Sequence, residues 1–174
     1  MAPSASLRQL DLHDVPDAFR RAVVFHQQQR LIEAEELCAA ILAVVPQHFA
    51  AHHLLGVLCF QQGRNAEAAE ALARAIRIKP DAAAALAHHG LVLQELGRHE
   101  QALASYDTAL GLQPDFLDAL SNRASALIEL GRFEEAVANS DRTLAIRPDQ
   151  FEAHYNRGIA LAELGRHADA LSSF

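Results

Sequence analysis

Ten histidines are the first side chains in this sequence of 174 residues that could do chemistry. His48, His52 and His53 form the densest group, and His48 and His52 stand four apart, a spacing that puts two metal ligands on one helix face. No cysteine or acidic residue completes a ligand set beside them, and His48 falls in a connecting loop. They read as solvent-facing or groove histidines, as does the doublet His88–His89. Glu134–Glu135 is the obvious carboxylate pair, but adjacent residues on a helix do not face each other, so it reads as a solvated helix start and not as an acid–base couple. Cys38 and Cys59 read as free buried thiols. A nucleophile elbow, a phosphate-binding loop, a dinucleotide fingerprint and a zinc-protease motif are all missing from the sequence. These residues assign no catalytic group, no metal and no cofactor, and the chain reads as a non-enzyme.

The elements that position those side chains recur at a fixed interval of 34 residues. Glycine stands at 63, 97, 131 and 165, proline at 46, 80, 114 and 148, and alanine at 34, 68, 102, 136 and 170. A period in this range marks a stack of small supersecondary units, here pairs of helices. Each glycine closes the first helix of a pair, where a left-handed residue is wanted. Each proline ends the second helix, because it lacks a donor and disfavours helix at the residue before it. Asp81, Asp115 and Asp149 follow three of the prolines and are expected to cap the next helix, Asp149 with Glu152 having the spacing of a capping box. Gly56, Gly90, Ala124 and Gly158 are small enough to let paired helices close up, with Ala68, Ala102, Ala136 and Ala170 opposite. Leu86, Leu93 and Leu96 fall on one helix face, as do Leu120, Leu127 and Leu130, while Leu103, Leu110 and Leu112 serve the second helix of the third pair.

The expected organisation is a lead or partial cap over 1–14, with Leu7 to Leu12 packing down, and an array over 15–174 divided as 15–48, 49–82, 83–116, 117–150 and an incomplete 151–174. Helices are expected from near Pro16, over 31–44, 50–62, 65–78, 84–96, 99–112, 118–130, 133–146 and 152–164, with a last one starting near His167. Gln29 takes the place of the glycine in the first pair.

Apolar residues make up 51% of the chain, enough for a continuous core, and much of that is alanine, a strong helix former. A formal net charge of −7 with no Lys/Arg run longer than Arg20–Arg21 argues against a nucleic-acid partner. Met1 to Leu12 lacks the apolar core of a secretory signal, and the longest apolar run, Leu37 to Val45, is far short of a membrane span. Together with the thiols, this points to the cytoplasm and away from membranes.

The glycine, proline and alanine framework resembles that of tetratricopeptide-repeat arrays. The resemblance implies an all-α fold, a right-handed α-solenoid of about five stacked helix-turn-helix pairs with the last truncated. It also implies a concave groove lined by the first helices, in which a peptide or helix of another protein binds. The groove positions that follow are Phe60 in the second repeat, His88 and Leu91 in the third, Ser121, Asn122 and Ser125 in the fourth, and Tyr155, Asn156 and Ile159 in the fifth. Asp118 and Glu152 share that face. The groove holds no lysine, which argues against clamping a terminal carboxylate. Asn122 and Asn156 stand one period apart and make two rungs of a ladder whose amides can pair with an extended backbone or with neighbouring helices. Arg123 and Arg157 beside them are expected to lie along the helix pair and meet acids such as Asp141. Phe174 falls where Leu72, Tyr106 and Ser140 stand in earlier repeats. Its position suggests either a longer native chain or an assembly face for a homo-oligomer.

The segments from Ala34 to Val57 and from Leu96 to Asp107 look like the N-terminal repeats of bacterial proteins related to SPINDLY-type O-linked N-acetylglucosamine transferases. That resemblance implies a substrate-recruiting arm in which Asn122 and Asn156 hold the acceptor chain. Leu54 and His88 replace asparagine in the earlier repeats, and the transferase domain is not within these residues.

Overall fold

The structure, a computed structural model, describes residues 10–174, so the Leu7–Gln9 part of the expected cap lies outside the described residues. All regular structure among the described residues is helical. The chain forms two compact units divided after Pro80. The first holds a short 3-10 turn, Leu12–Asp14, and four helices: α1 (Val15–Gln27), α2 (Leu31–Val44), α3 (Phe49–Gln61) and α4 (Asn65–Ile78). The second holds α5 (Ala83–Glu95), α6 (His99–Leu112), α7 (Leu117–Glu129), α8 (Phe133–Ile146), α9 (Phe151–Glu163) and α10 (His167–Leu171).

Each pair turns in the same way. After α3, the Arg64 N–H donates to the Cys59 carbonyl at 2.9 Å and the Gly63 N–H to the Phe60 carbonyl at 2.9 Å. This reciprocal closure needs a left-handed residue at the turn, and Gly63 supplies it at φ +75°. Gln29 occupies the same place after α1 and takes φ +60°, the one left-handed non-glycine among the described residues. The arginine after the turn then fastens the start of the next helix through an acid three residues on. Arg30 meets Glu33 at 3.0 Å, Arg64 meets Glu67 at 2.9 Å, Arg132 meets Glu135 at 2.7 Å and Arg166 meets Asp169 at 2.7 Å. Glu135 of the carboxylate doublet is therefore an ion-pair partner.

Three expectations about the helices need correction. The first helices of the later repeats start one residue earlier than the spacing indicates, at 49, 83, 117 and 151. The capping positions become His48, Ala82, Phe116 and Gln150, so Asp81, Asp115 and Asp149 stand one residue too early to cap, and the Asp149–Glu152 box does not form. His48 does cap, its Nδ1 accepting from the Ala51 N–H at 3.0 Å. Leu112, at the end of α6, is 46% exposed and contributes little to the core. At the other end of the chain, Leu10 packs on the first unit's core, whereas Leu12 is exposed.

Within a pair, one small residue on the first helix receives one side chain from the second. A Cβ on Gly56 would fall 2.5 Å from Leu72 Cγ, one on Gly90 2.6 Å from the Tyr106 ring, and one on Gly158 2.6 Å from the Phe174 ring. The fourth pair reverses the sizes, with Ala124 facing the register of the small Ser140, and both are buried. The second helix of each pair also packs on the first helix of the next within the same unit, α2 on α3, α6 on α7 and α8 on α9. First helices lie side by side, α1 with α3 in one unit and α5, α7 and α9 in the other, and make the faces on which the groove residues stand.

Candidate binding groove

The α5–α7–α9 face carries a cavity of about 320 Å³ lined by Ala87, His88 and Leu91 from α5, Asp118, Ser121 and Asn122 from α7, Glu152 from α9, and Phe116 and Gln150 from the capping positions. Four expected groove residues, His88, Leu91, Ser121 and Asn122, therefore converge on one site. The others do not join it. Phe60 is half-buried on α3 in the first unit. Ser125 accepts from the Gln94 amide at 3.0 Å, and Gln94 in turn accepts from the buried Tyr106 hydroxyl at 3.2 Å. Ile159 is half-buried on α9. Tyr155, about half exposed, stacks on Phe151 at 6.1 Å between ring centres and meets Phe174 edge-on at 6.2 Å.

The two asparagine rungs are unequal. The Asn156 amide donates to the Ser121 carbonyl at 3.2 Å and ties α9 to α7. Asn122 has no such bond among the described residues. The Ser121 hydroxyl beside it is buried and unpartnered. The neighbouring arginines are taken up in the helix pairs. Arg123 Nε donates to Asp107 at 2.6 Å and Arg157 Nε to Asp141 at 2.6 Å. Their other nitrogens reach Asn139 at 3.2 Å and Ser173 at 2.6 Å, the same register that joins His89 Nδ1 to the Ser105 hydroxyl at 3.1 Å in the pair before.

Electrostatics divide the face. Asp118 and Glu152 are exposed residues of the cavity lining, and neither is ion-paired with an arginine or lysine among the described residues. Glu152 accepts only from the Gln150 amide, at 2.7 Å. His88 is accessible to solvent, yet the surrounding protein strips enough water from it to lower its pKa, against the opposing pull of Asp118. Burial lowers the pKa of His89 as well.

Cys38 and Cys59 are free and buried, and burial pushes the Cys38 thiol up to about 12, far from a reactive thiolate. His52 is buried, contrary to the expectation of a solvent-facing ring. Its Nε2 meets the Pro46 carbonyl at 2.9 Å, and His154, three periods later, meets the Pro148 carbonyl at 2.8 Å. That recurrence was available in the spacing. Phe116 and Gln150 were harder to find, because they line the cavity from just outside the helical register that predicts groove positions. Among the described residues, no helix is long and apolar enough to cross a membrane.

Three repeat models match along the chain, a TPR repeat over 124–165 and tetratricopeptide repeats over 33–83 and 93–138. No curated protein matches it. The chain is similar to the crystal structure of a MamA protein at 17% identity, with 93% of this chain and 88% of that one covered and a TM-score of 0.86. It is similar to a MamA from Desulfovibrio magneticus RS-1 at 14% identity, with 92% and 91% covered and a TM-score of 0.86. It is also similar to YrrB, described as a repeat protein with an unusual peptide-binding site, at 20% identity, with 92% and 82% covered and a TM-score of 0.82. At these identities the likeness is one of fold.

Proposed function

The chain is a tetratricopeptide-repeat protein, and from that premise we propose that it is a non-catalytic interaction module whose α5–α7–α9 face binds an extended segment of another protein. One observation carries this reading. His88, Leu91, Ser121 and Asn122 converge on a single cavity, and the Asn122 amide there makes no hydrogen bond among the described residues. The side chain is half-buried, and a peptide backbone offers both a donor and an acceptor to its amide. The peptide site in YrrB's description supports the choice of ligand. The cytoplasm remains the proposed compartment, on the strength of the two unpaired thiols.

The test is selection of binders from a random peptide display library against the full chain, followed by binding measurements on the Asn122→Ala and Asn156→Ala variants. Asn122→Ala should weaken a selected peptide about tenfold, the scale of one lost hydrogen bond that is fully desolvated, and leave the melting midpoint in place. Asn156→Ala should lower the midpoint instead, because its amide is spent on the Ser121 carbonyl. Failure to enrich any peptide, or full affinity in Asn122→Ala, would sink the reading. The recruiting arm of an O-linked N-acetylglucosamine transferase, which uses both asparagines on its acceptor, is less well served, since only Asn122 is free to do so.

A second reading is favoured by the exposed aromatics Phe151, Tyr155 and Phe174 at 73%, 49% and 71% exposure. Patches of this kind mark contact surfaces, and we propose self-association there. Mass by light scattering should rise with concentration, and Phe174→Glu should hold it at one chain; a mass independent of concentration in the unaltered protein would count against it.

A further inference from the structure

We infer that the cavity between the end of α4 and the α2–α3 turn is an anion site that takes a phosphoryl group on two arginines. It lies wholly in the first unit and stands apart from the groove reading above. The cavity, of about 420 Å³, is lined by Pro46, Gln47, His52, Arg74, Arg77 and Ile78.

The later repeats hold other versions of the same place. Gln47 stands where they carry Asp81, Asp115 and Asp149, so the lining has no carboxylate. Arg77 stands where they carry Gly111 and Ala145. In the fourth repeat Leu120 replaces His52, and Arg142, the counterpart of Arg74, donates to the Pro114 carbonyl. In the second repeat His52 Nε2 donates to the matching Pro46 carbonyl at 2.9 Å, and Arg74 makes no such bond. The histidine takes over the carbonyl, and the guanidinium faces the cavity instead.

A second observation is the state of the two arginines. Arg77 makes no hydrogen bond or ion pair among the described residues. The ion pair of Arg74 is a long one to Glu70, 3.9 Å, with both side chains more than half exposed. The described arginines outside this pair each donate a side-chain hydrogen bond, with two exceptions. Arg21 lies over the Phe25 ring at 6.0 Å, and Arg98 is a turn arginine with Gln101 in place of the usual acid. Lys79, close by in sequence, is drawn over the Phe49 ring at 5.7 Å. Arg74 and Arg77 stand three apart, side by side on one helix, where like charges oppose each other. The helix dipole favours a cation in the last turn, which accounts for Arg77 but not for Arg74 a turn earlier. A phosphoryl dianion answers both: its three terminal oxygens can meet two guanidinium forks, and its charge offsets theirs, whereas a carboxylate fills one fork. The cavity has room for that group and part of what carries it.

The experiment titrates inorganic phosphate into the isotope-labelled full chain at constant ionic strength, read by NMR from backbone amide and arginine Nε signals, with acetate as the carboxylate comparison. Signals of Gln47, Arg74 and Arg77 should move saturably, with phosphate binding about fivefold more tightly than acetate, the scale of one further charge-assisted bond that is partly screened. Arg77→Gln should weaken phosphate by about the same factor. Glu70→Gln should tighten it about twofold by releasing Arg74, and the control Arg98→Gln should leave it unchanged. All three positions are exposed, and an unchanged circular dichroism spectrum verifies the fold. A degenerate phosphoserine peptide mixture and its serine counterpart separate two sources of the group, both of which uphold the site. Phosphoserine peptides that bind more tightly than both serine peptides and phosphate place it on a partner chain; no gain over phosphate assigns a free phosphate or small phosphate ester. Shifts that grow without saturating overturn the site. Equal affinity for phosphate and acetate overturns the phosphoryl ligand, and saturable binding unchanged in Arg77→Gln overturns the placement.

Discussion

Gln29 shows what the repeat asks of a single backbone position. The glycines after α3, α5, α7 and α9 sit at φ between +70° and +75°, and Gln29 after α1 is held at +60° although it has a Cβ. That conformation costs an L-residue about 1–2 kcal/mol, partly offset because a glutamine loses less freedom on folding than a glycine. Gln29→Gly should therefore stabilise the chain by about 1 kcal/mol, read as a rise of about 2–4 °C in the melting midpoint. The converse, Gly97→Gln, should cost a similar amount, since a Cβ there meets nothing within 4 Å and the penalty is conformational alone. A second residue-scale effect lies at His89, whose pKa burial depresses. Unfolded histidine takes up a proton near pH 6.5, whereas folded His89 resists it. As pH falls through that value the unfolded state binds more protons, so stability is full above it and is lost on the way down to the folded pKa. Melting between pH 7.5 and 5.5 should show a smaller fall for His89→Gln than for the unaltered chain; equal falls would mean the ring titrates alike in both states.

At the scale of elements, the pairs are held by matched sizes more than by any one residue. Gly56 receives Leu72 and Gly90 receives Tyr106, whereas the fourth pair sets Ala124 with the small Ser140. Ser140→Leu should overpack that pair and cost about 1–3 kcal/mol. Adding Ala124→Gly copies the Gly56–Leu72 solution and should restore at least 1 kcal/mol in a double-mutant cycle by chemical denaturation; strict additivity would show the two positions do not share a space. This pairing was legible in the sequence because it follows the period, as were the α1–α10 order, the glycine turns and the proline stops. The helix starts were misjudged by one residue because an aspartate after proline looks like a cap, while the chain here uses one more residue before turning helical. The site was legible in part. Register alone placed His88, Leu91, Ser121 and Asn122 on one face, but not which amides remain free. The bond from Asn156 to the Ser121 carbonyl joins residues 35 apart and depends on how two helices lie together. Phe116 and Gln150 enter the cavity from capping positions, where helical periodicity says nothing.

At the scale of the whole molecule, the two units differ in how many pairs each can stack. The unit from Asp81 to Phe174 contains three helix pairs, α5–α6, α7–α8 and α9–α10, and the unit before it contains two. Stability in repeat arrays is close to a sum of unit and neighbour terms, and about three repeats are needed before the buried interfaces outweigh the ordering entropy. The segment 81–174 should therefore fold alone, with a helical circular dichroism spectrum and a cooperative melt, while 1–80 alone should melt at a lower temperature or lack a transition. Every residue lining the candidate groove cavity lies in 81–174, so that segment should also bind the peptides selected against the full chain within about threefold of its affinity, a difference of less than 1 kcal/mol. A folded 81–174 that binds none of them would place the recognition in the first unit, on the α1–α3 face. An unfolded 81–174 would show that three pairs are too few here, because alanine supplies much of the buried surface and each alanine removes little area from water.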